Sequence, residues 1–220
     1  MNTQPRFAIA IDGPAASGKS TLAHELAKRL GLVMVNSGAM YRAVTWKVLQ
    51  ENIDPNDAPA VIKMLDRIQI HCGENGVTST FTIDGVDPGE ALRSEEINSN
   101  VSAISAIPEV RDRLVKLQRD YLAHTSIIME GRDIGSVVFP DTPFKIYIDA
   151  DEAVRAARRS DVGEVDSVAK RDAADSERVS SPLKVADGAT VLDTSRHTIQ
   201  SVVEAAIEIL KQQGLQISDS

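Results

Sequence analysis

Short apolar runs recur along this chain, with amphipathic stretches between them. Residues 7–11, 32–35, 127–129, 144–148 and 190–192 are largely apolar, the pattern of strands buried on both faces of a sheet. The segments 19–30, 39–50, 109–123, 152–159 and 198–212 repeat apolar residues at spacings of three and four, which predicts helices. Strands alternating with helices predict an α/β fold in which helices cover both faces of a parallel sheet. The alternation breaks twice. Between 52 and 105, the segments 68–72 and 78–83 around Glu74-Asn75-Gly76 predict a β-hairpin carried by an insertion. Residues 161–183 are charged with scattered apolar positions, which predicts a surface segment that moves over an active site.

A hydrophobic content of 42% over 220 residues is enough for one buried core with inserted segments, so one domain is expected. No run approaches the roughly 20 apolar residues of a membrane helix, and the polar start Met1–Arg6 lacks the regions of a secretion signal; the expected location is the cytoplasm. Cys72 is the lone cysteine, which excludes an internal disulfide and a cysteine-built metal cage. The four histidines, His24, His71, His124 and His197, share no ligand-like spacing. A net charge of −8 argues against long nucleic acids, so an anionic ligand must be held locally. The basic residues comprise 15 arginines and 9 lysines, and guanidinium forks suit two-point phosphate contacts.

The sharpest motif follows the first predicted strand. Gly13-Pro14-Ala15-Ala16-Ser17-Gly18-Lys19-Ser20 fits G-x-x-x-x-G-K-[ST] and runs into a helix at Thr21. The glycines let backbone amides face a polyphosphate, and the helix adds its positive end. Gly13 to Thr21 are therefore the expected ATP site, with Lys19 on the β and γ phosphates and the Ser20 hydroxyl on Mg2+. No lysine follows an asparagine, so the N-K-x-D motif of guanine-binding switches is absent. Lacking a large accessory domain and a membrane segment, the chain reads as a small-molecule kinase.

The phosphate loop, together with Asn36-Ser37-Gly38-Ala39-Met40-Tyr41-Arg42, Glu130-Gly131-Arg132-Asp133-Ile134-Gly135, Val137-Val138-Phe139-Pro140 and Arg171-Asp172-x-x-Asp175-x-x-Arg178, resembles bacterial cytidylate kinase over nearly the whole chain. The resemblance implies transfer of the γ-phosphoryl group of ATP to CMP and dCMP by a monomer. It implies a P-loop kinase fold with a five-stranded parallel sheet. The core would be 1–35, 106–154 and 180–220, with an enlarged monophosphate-binding insertion at 36–105 and a short lid at 155–179. Arg42 and Arg132 match the family's acceptor-phosphate arginines, Ser37 a serine near the ribose, and Arg171 and Asp175 contacts to the sugar. Ser102, Arg111, Asp133 and Arg178 match the residues that read the base, and Asp133 is expected to discriminate cytosine from uracil. Glu130, which stands where the family usually has aspartate, belongs by the same resemblance to the substrate-binding set, with sugar or arginine contacts.

Bland readings stand beside several of these roles. Arg42 also suits a solvated surface charge, Ser37 an N-cap for a helix starting near Ala39, and Arg171 with Asp175 an i,i+4 ion pair. Arg155, Arg158 and Arg159 share one helical face and are candidates to close over the transferring group as catalytic charges, beside Lys19, Arg132 and Asp133. Only eleven residues separate Arg159 from Arg171, so the lid is short. Other readings are a kinase for another small acceptor and a non-catalytic nucleotide-dependent regulator.

Overall fold

The computed structural model describes residues 5–161, 172, 173, 175, 176 and 181–217. Its strands are β1 (Ala8–Asp12), β2 (Val33–Asn36), β3 (Ile70–Asn75), β4 (Thr78–Ile83), β5 (Ile127–Gly131), β6 (Lys145–Asp149) and β7 (Thr190–Asp193). Its helices are α1 (Lys19–Leu30), α2 (Ser37–Gln50), α3 (Ala58–Leu65), α4 (Glu95–Ala106), α5 (Pro108–Asp120), α6 (Glu152–Asp161) and α7 (Ile199–Gln212). A π-helical turn, Ile134–Val138, follows β5.

Five strands, in the order β2-β5-β1-β6-β7, run parallel. These are the five parallel strands expected; among the described residues the predicted hairpin, β3-β4, joins the same sheet beyond β2 and brings it to seven strands. That junction is narrow: Met34 pairs with Thr78, and the Met34 amide donates to Val77 O at 2.8 Å. Burial holds it, since Phe81 and Ile83 of β4 join the cluster formed by Val33, Ile127 and Met129. Alternate strand residues serve opposite faces. Ile9, Ile11, Ile128, Ile146 and Ile148 pack under α1 and α7 with Leu22, Leu26 and Leu210, whereas Ala8, Ala10, Ile127 and Met129 pack with Val44 and Leu114 of α2 and α5. Both faces are covered over β1, β2, β5 and β6, which is why those strands read as apolar runs; β7, at the edge, is largely exposed, with Val191 53% exposed, against the burial expected of 190–192.

Two helices went unread in the insertion although each carries a start signal. Asp57 accepts from the Ala60 amide ahead of Val61, Met64 and Leu65, and Ser94 accepts from Ile97 ahead of Val101 and Ile104. Neighbouring polar residues such as Asn98 and Ser105 blur the period of the second, and both of them are buried near the site.

Candidate active site

Strands β1, β2 and β5 end at Asp12, Asn36 and Gly131, and the site is built on that edge, where parallel sheets place their ligands. The phosphate loop occupies 13–18 between β1 and α1. Gly13 has φ 148°, and a Cβ there would lie 2.0 Å from Ile148 O, so only glycine fits. Ala16 and Gly18 have φ of 57° and 95°, and such left-handed positions turn successive amides into an anion-binding concavity. Lys19 is 4% exposed, its ammonium folded back to donate to Pro14 O at 2.6 Å and Ser17 Oγ at 3.4 Å. Burial, and next the Arg132 charge, pushes that ammonium well below the usual lysine range, against the pull of Glu130, Asp12 and Asp172. A cation so placed favours an incoming anion. Ser20 Oγ donates to Glu130 Oε1 at 2.8 Å, which sets a hydroxyl and a carboxylate together beside the loop.

Two of the three candidate arginines of α6 hydrogen-bond to the loop, and one of them, Arg158, also lines the cavity. Arg155 Nη1 donates to Ala15 O at 3.3 Å and to the Asp172 carboxylate, which also accepts from the Ala15 amide at 3.1 Å. Arg158 Nη1 donates to Ser17 O at 3.3 Å and to Thr194 Oγ1 at 3.1 Å, while Nη2 donates to Thr194 O at 2.9 Å. Loop carbonyls are strong acceptors facing inward, and two guanidinium forks on one helical face satisfy them. Arg159, also buried, lines the cavity. Thr194, 3% exposed, donates to Ser17 O at 2.9 Å and was missed by sequence reasoning. Its signal was its place just past the last apolar strand.

On the facing side, Ser37 is the first residue of α2 and not its N-cap; Asn36 caps, accepting from Ala39 at 2.9 Å. The Ser37 hydroxyl instead donates to Glu130 O at 2.8 Å, stitching β2 to β5. Gly131 keeps that contact open, since a Cβ there would lie 2.4 Å from Ser37 Oγ. Arg42, half-buried, lines the cavity, and its Nε donates to Asn98 Oδ1 at 3.4 Å, so it is no solvated surface charge. Arg111, 3% exposed, donates to Ser105 O at 3.3 Å, Ser181 Oγ at 3.2 Å and the Asp133 carboxylate, with its guanidinium 5.5 Å from the centre of the Tyr41 ring. Arg132 Nε donates to Asp175 Oδ2 at 2.6 Å. Ser102 lines the same space. Arg171 and Arg178 lie outside the described residues.

One continuous cavity of about 560 Å³ joins the two sides, reaching from Ser17, Lys19 and Ser20 to Arg42, Arg111 and Asp133. Its lining also includes His197 and Ile199, just beyond Thr194 on the phosphate-loop side, which no motif had suggested. Among the described residues no cluster of three or more His, Cys, Asp or Glu side chains is arranged to hold a metal. A hollow with a phosphate loop at one end and guanidinium groups at the other can present two phosphates to each other, and phosphoryl transfer between them needs positioning and charge stabilisation rather than a strong base.

Fold and site together define a nucleotide-dependent phosphotransferase of the phosphate-loop class. The fold is shared with a sugar kinase from Janibacter sp. HTCC2649 (TM-score 0.50, 16% identity, 94% of this chain and 95% of that one). It is shared also with TT1252 from Thermus thermophilus (TM-score 0.51, 16% identity, 97% and 100%). The sequence profile of the cytidylate kinase family matches residues 9–212. The cytidylate kinase of Streptomyces avermitilis is 42% identical over 219 residues, covering 96% of this chain and 95% of the relative. That of Corynebacterium efficiens is 44% identical over 214 residues, covering 91% and 93%. The chain belongs to the cytidylate kinase family, enzymes that pass a phosphoryl group from ATP to CMP to give CDP.

Proposed function

We propose that this kinase accepts dCMP as well as CMP, works with magnesium, and divides its labour along the cavity. Amides of the phosphate loop and Lys19 hold the donor triphosphate, with Arg155 and Arg158 fixing the loop's shape from behind. Magnesium supplies charge neutralisation at the donor phosphates. The residues present fit such a hard cation, because the Ser20 hydroxyl and the Glu130 carboxylate are oxygen donors 2.8 Å apart beside the loop. Ser20 and Glu130 would hold it, so Glu130 serves the metal more than the sugar.

Arg42 and Arg132 grip the acceptor phosphate, each able to form two parallel hydrogen bonds. Ser37, Arg171 and Asp175 belong to the sugar, and Ser102, Arg111, Asp133 and Arg178 to the base. A carboxylate at Asp133 accepts from the exocyclic amine of cytosine; uracil presents a carbonyl there and leaves it unpaired. Arg159 remains the best of the three helical arginines to meet the transferring group. Segments 36–105 and 155–179 act as acceptor-binding insertion and lid on the core of 1–35, 106–154 and 180–220, in a cytoplasmic monomer.

The observation that carries this reading is the single cavity that runs from Lys19 and Ser20 to Arg42, Arg111 and Asp133. A coupled assay offering CMP, dCMP, UMP and AMP with ATP and magnesium tests it: turnover with both CMP and dCMP is expected, and a rate with UMP equal to that with CMP would count against the assigned base site.

A further inference from the structure

Asp12 belongs to none of the motifs that mark the site, yet it is a carboxylate only 4% exposed at the end of β1, one residue before the phosphate loop. Position alone suggests service to that loop. Its hydrogen bonds go elsewhere: Oδ1 accepts from the Ile134 amide at 2.8 Å and Oδ2 from the Gly135 amide at 2.7 Å. Those amides open the π-helical turn Ile134–Val138, whose start has none of the usual intrahelical partners. The far end of the turn is tied as well, with Arg119 donating to Val138 O and Val137 O at 2.8 Å each.

Arg132 and Asp133 occupy the two positions between β5 and this turn, so the path of their backbone is set by how the turn is anchored. The packing around the carboxylate is close. A Cβ on Gly135 would lie 3.3 Å from Asp12 Oδ2, 3.2 Å from Lys145 Cδ and 3.3 Å from Ala186 Cβ. An anionic carboxylate costs more to bury than an amide or an alkyl group of similar size, so its retention needs a reason other than stability.

We propose that Asp12 is a positioning residue for the acceptor, one that anchors the turn behind Arg132 and Asp133 while leaving the donor loop to other contacts. This rests on the reading that Arg132 and Asp133 meet the acceptor. Asp12→Asn keeps shape but offers one oxygen acceptor and sets an N–H donor against an amide N–H. The KM for CMP is expected to rise about ten-fold, with affinity for a non-hydrolysable ATP analogue changed less than about two-fold. Gly135→Ala displaces the same carboxylate without altering it and should give the same split.

In a double-mutant cycle with Asp133→Ala, the Asp12→Asn effect on CMP should shrink, because the two act through one turn. Additive effects, equal losses of donor and acceptor binding, or unfolding of both Asp12→Asn and Gly135→Ala would overturn the assignment. Should Asp133→Ala alone leave the preference for CMP over UMP unchanged, the base-site reading fails, and that outcome is distinct from any produced by Asp12.

Discussion

Arg111 and Asp133, 22 positions apart in sequence, form an ion pair that is 3% and 5% exposed at the wall of the cavity. Two of the residues expected to read the base are thus paired with each other. Removing one partner leaves a buried charge. Asp133→Ala should therefore destabilise the fold by about 3–5 kcal/mol in urea unfolding, and the double variant with Arg111→Ala should lose less than the sum of the single losses. The same Asp133→Ala enzyme should show a narrowed gap between CMP and UMP rates. A stability loss below about 1 kcal/mol would show the pair to be dispensable to the fold.

Lys19 carries its charge in a place that disfavours it. Burial lowers the ammonium's pKa, so in the absence of nucleotide holding that proton opposes folding, a cost that grows as the pH falls from the usual lysine value of 10.5 and levels off below the folded pKa. Lys19→Met should reduce kcat by roughly 100-fold or more, while leaving the melting temperature of the nucleotide-free protein unchanged or raised. A lowered melting temperature would mean that Lys19 serves the fold.

Asp12 gives a pH signature. Burial lifts its carboxyl from 3.8 to about 6, against the lowering effect of the Gly135 and Ile134 amides; Asp133 adds to the rise and Lys19 opposes it. The folded chain then takes up this proton more readily than the unfolded chain, so the stability it brings is fully present below pH 3.8 and lost as pH rises through about 6. Asp12→Asn does not titrate. Relative to that variant, the parent protein should lose about 2 kcal/mol of unfolding free energy between pH 4 and 7. A difference independent of pH would show that the carboxyl is not perturbed.

Glu130 accepts from the Ser20 hydroxyl at 2.8 Å beside the phosphate loop. Glu130→Gln keeps the length and removes the charge. The magnesium concentration for half-maximal rate should rise about ten-fold, with the KM for CMP much less affected. If instead the KM for CMP rose and the metal dependence stayed put, Glu130 would belong to the acceptor.

The five parallel strands, the covering helices and the phosphate loop were legible because each is written locally: continuous apolar runs for β1, β5 and β6, a period near 3.6 for α1 and α7, and glycines where Gly13 and Gly18 must adopt positive φ. What stayed hidden depends on contacts between distant segments. The docking of β4 on β2 has one paired position, Met34 with Thr78, and is held by the burial of Phe81 and Ile83, neither of which any periodicity announces. Arg155, Arg158 and Arg159 share a helical face in the sequence, but only the fold shows that two of them turn to the carbonyls of Ala15 and Ser17. Asp12 and Thr194 went unnoticed because their partners, Ile134, Gly135 and Ser17, lie over 100 positions away.

The most direct test is the initial rate of ADP release with CMP, set against UMP, at fixed ATP and magnesium. The two-ended cavity requires kcat/KM for CMP to exceed that for UMP by at least about ten-fold, with the advantage reduced in Asp133→Ala. Equal values for the two acceptors, or ADP release that does not depend on adding either, would refute it.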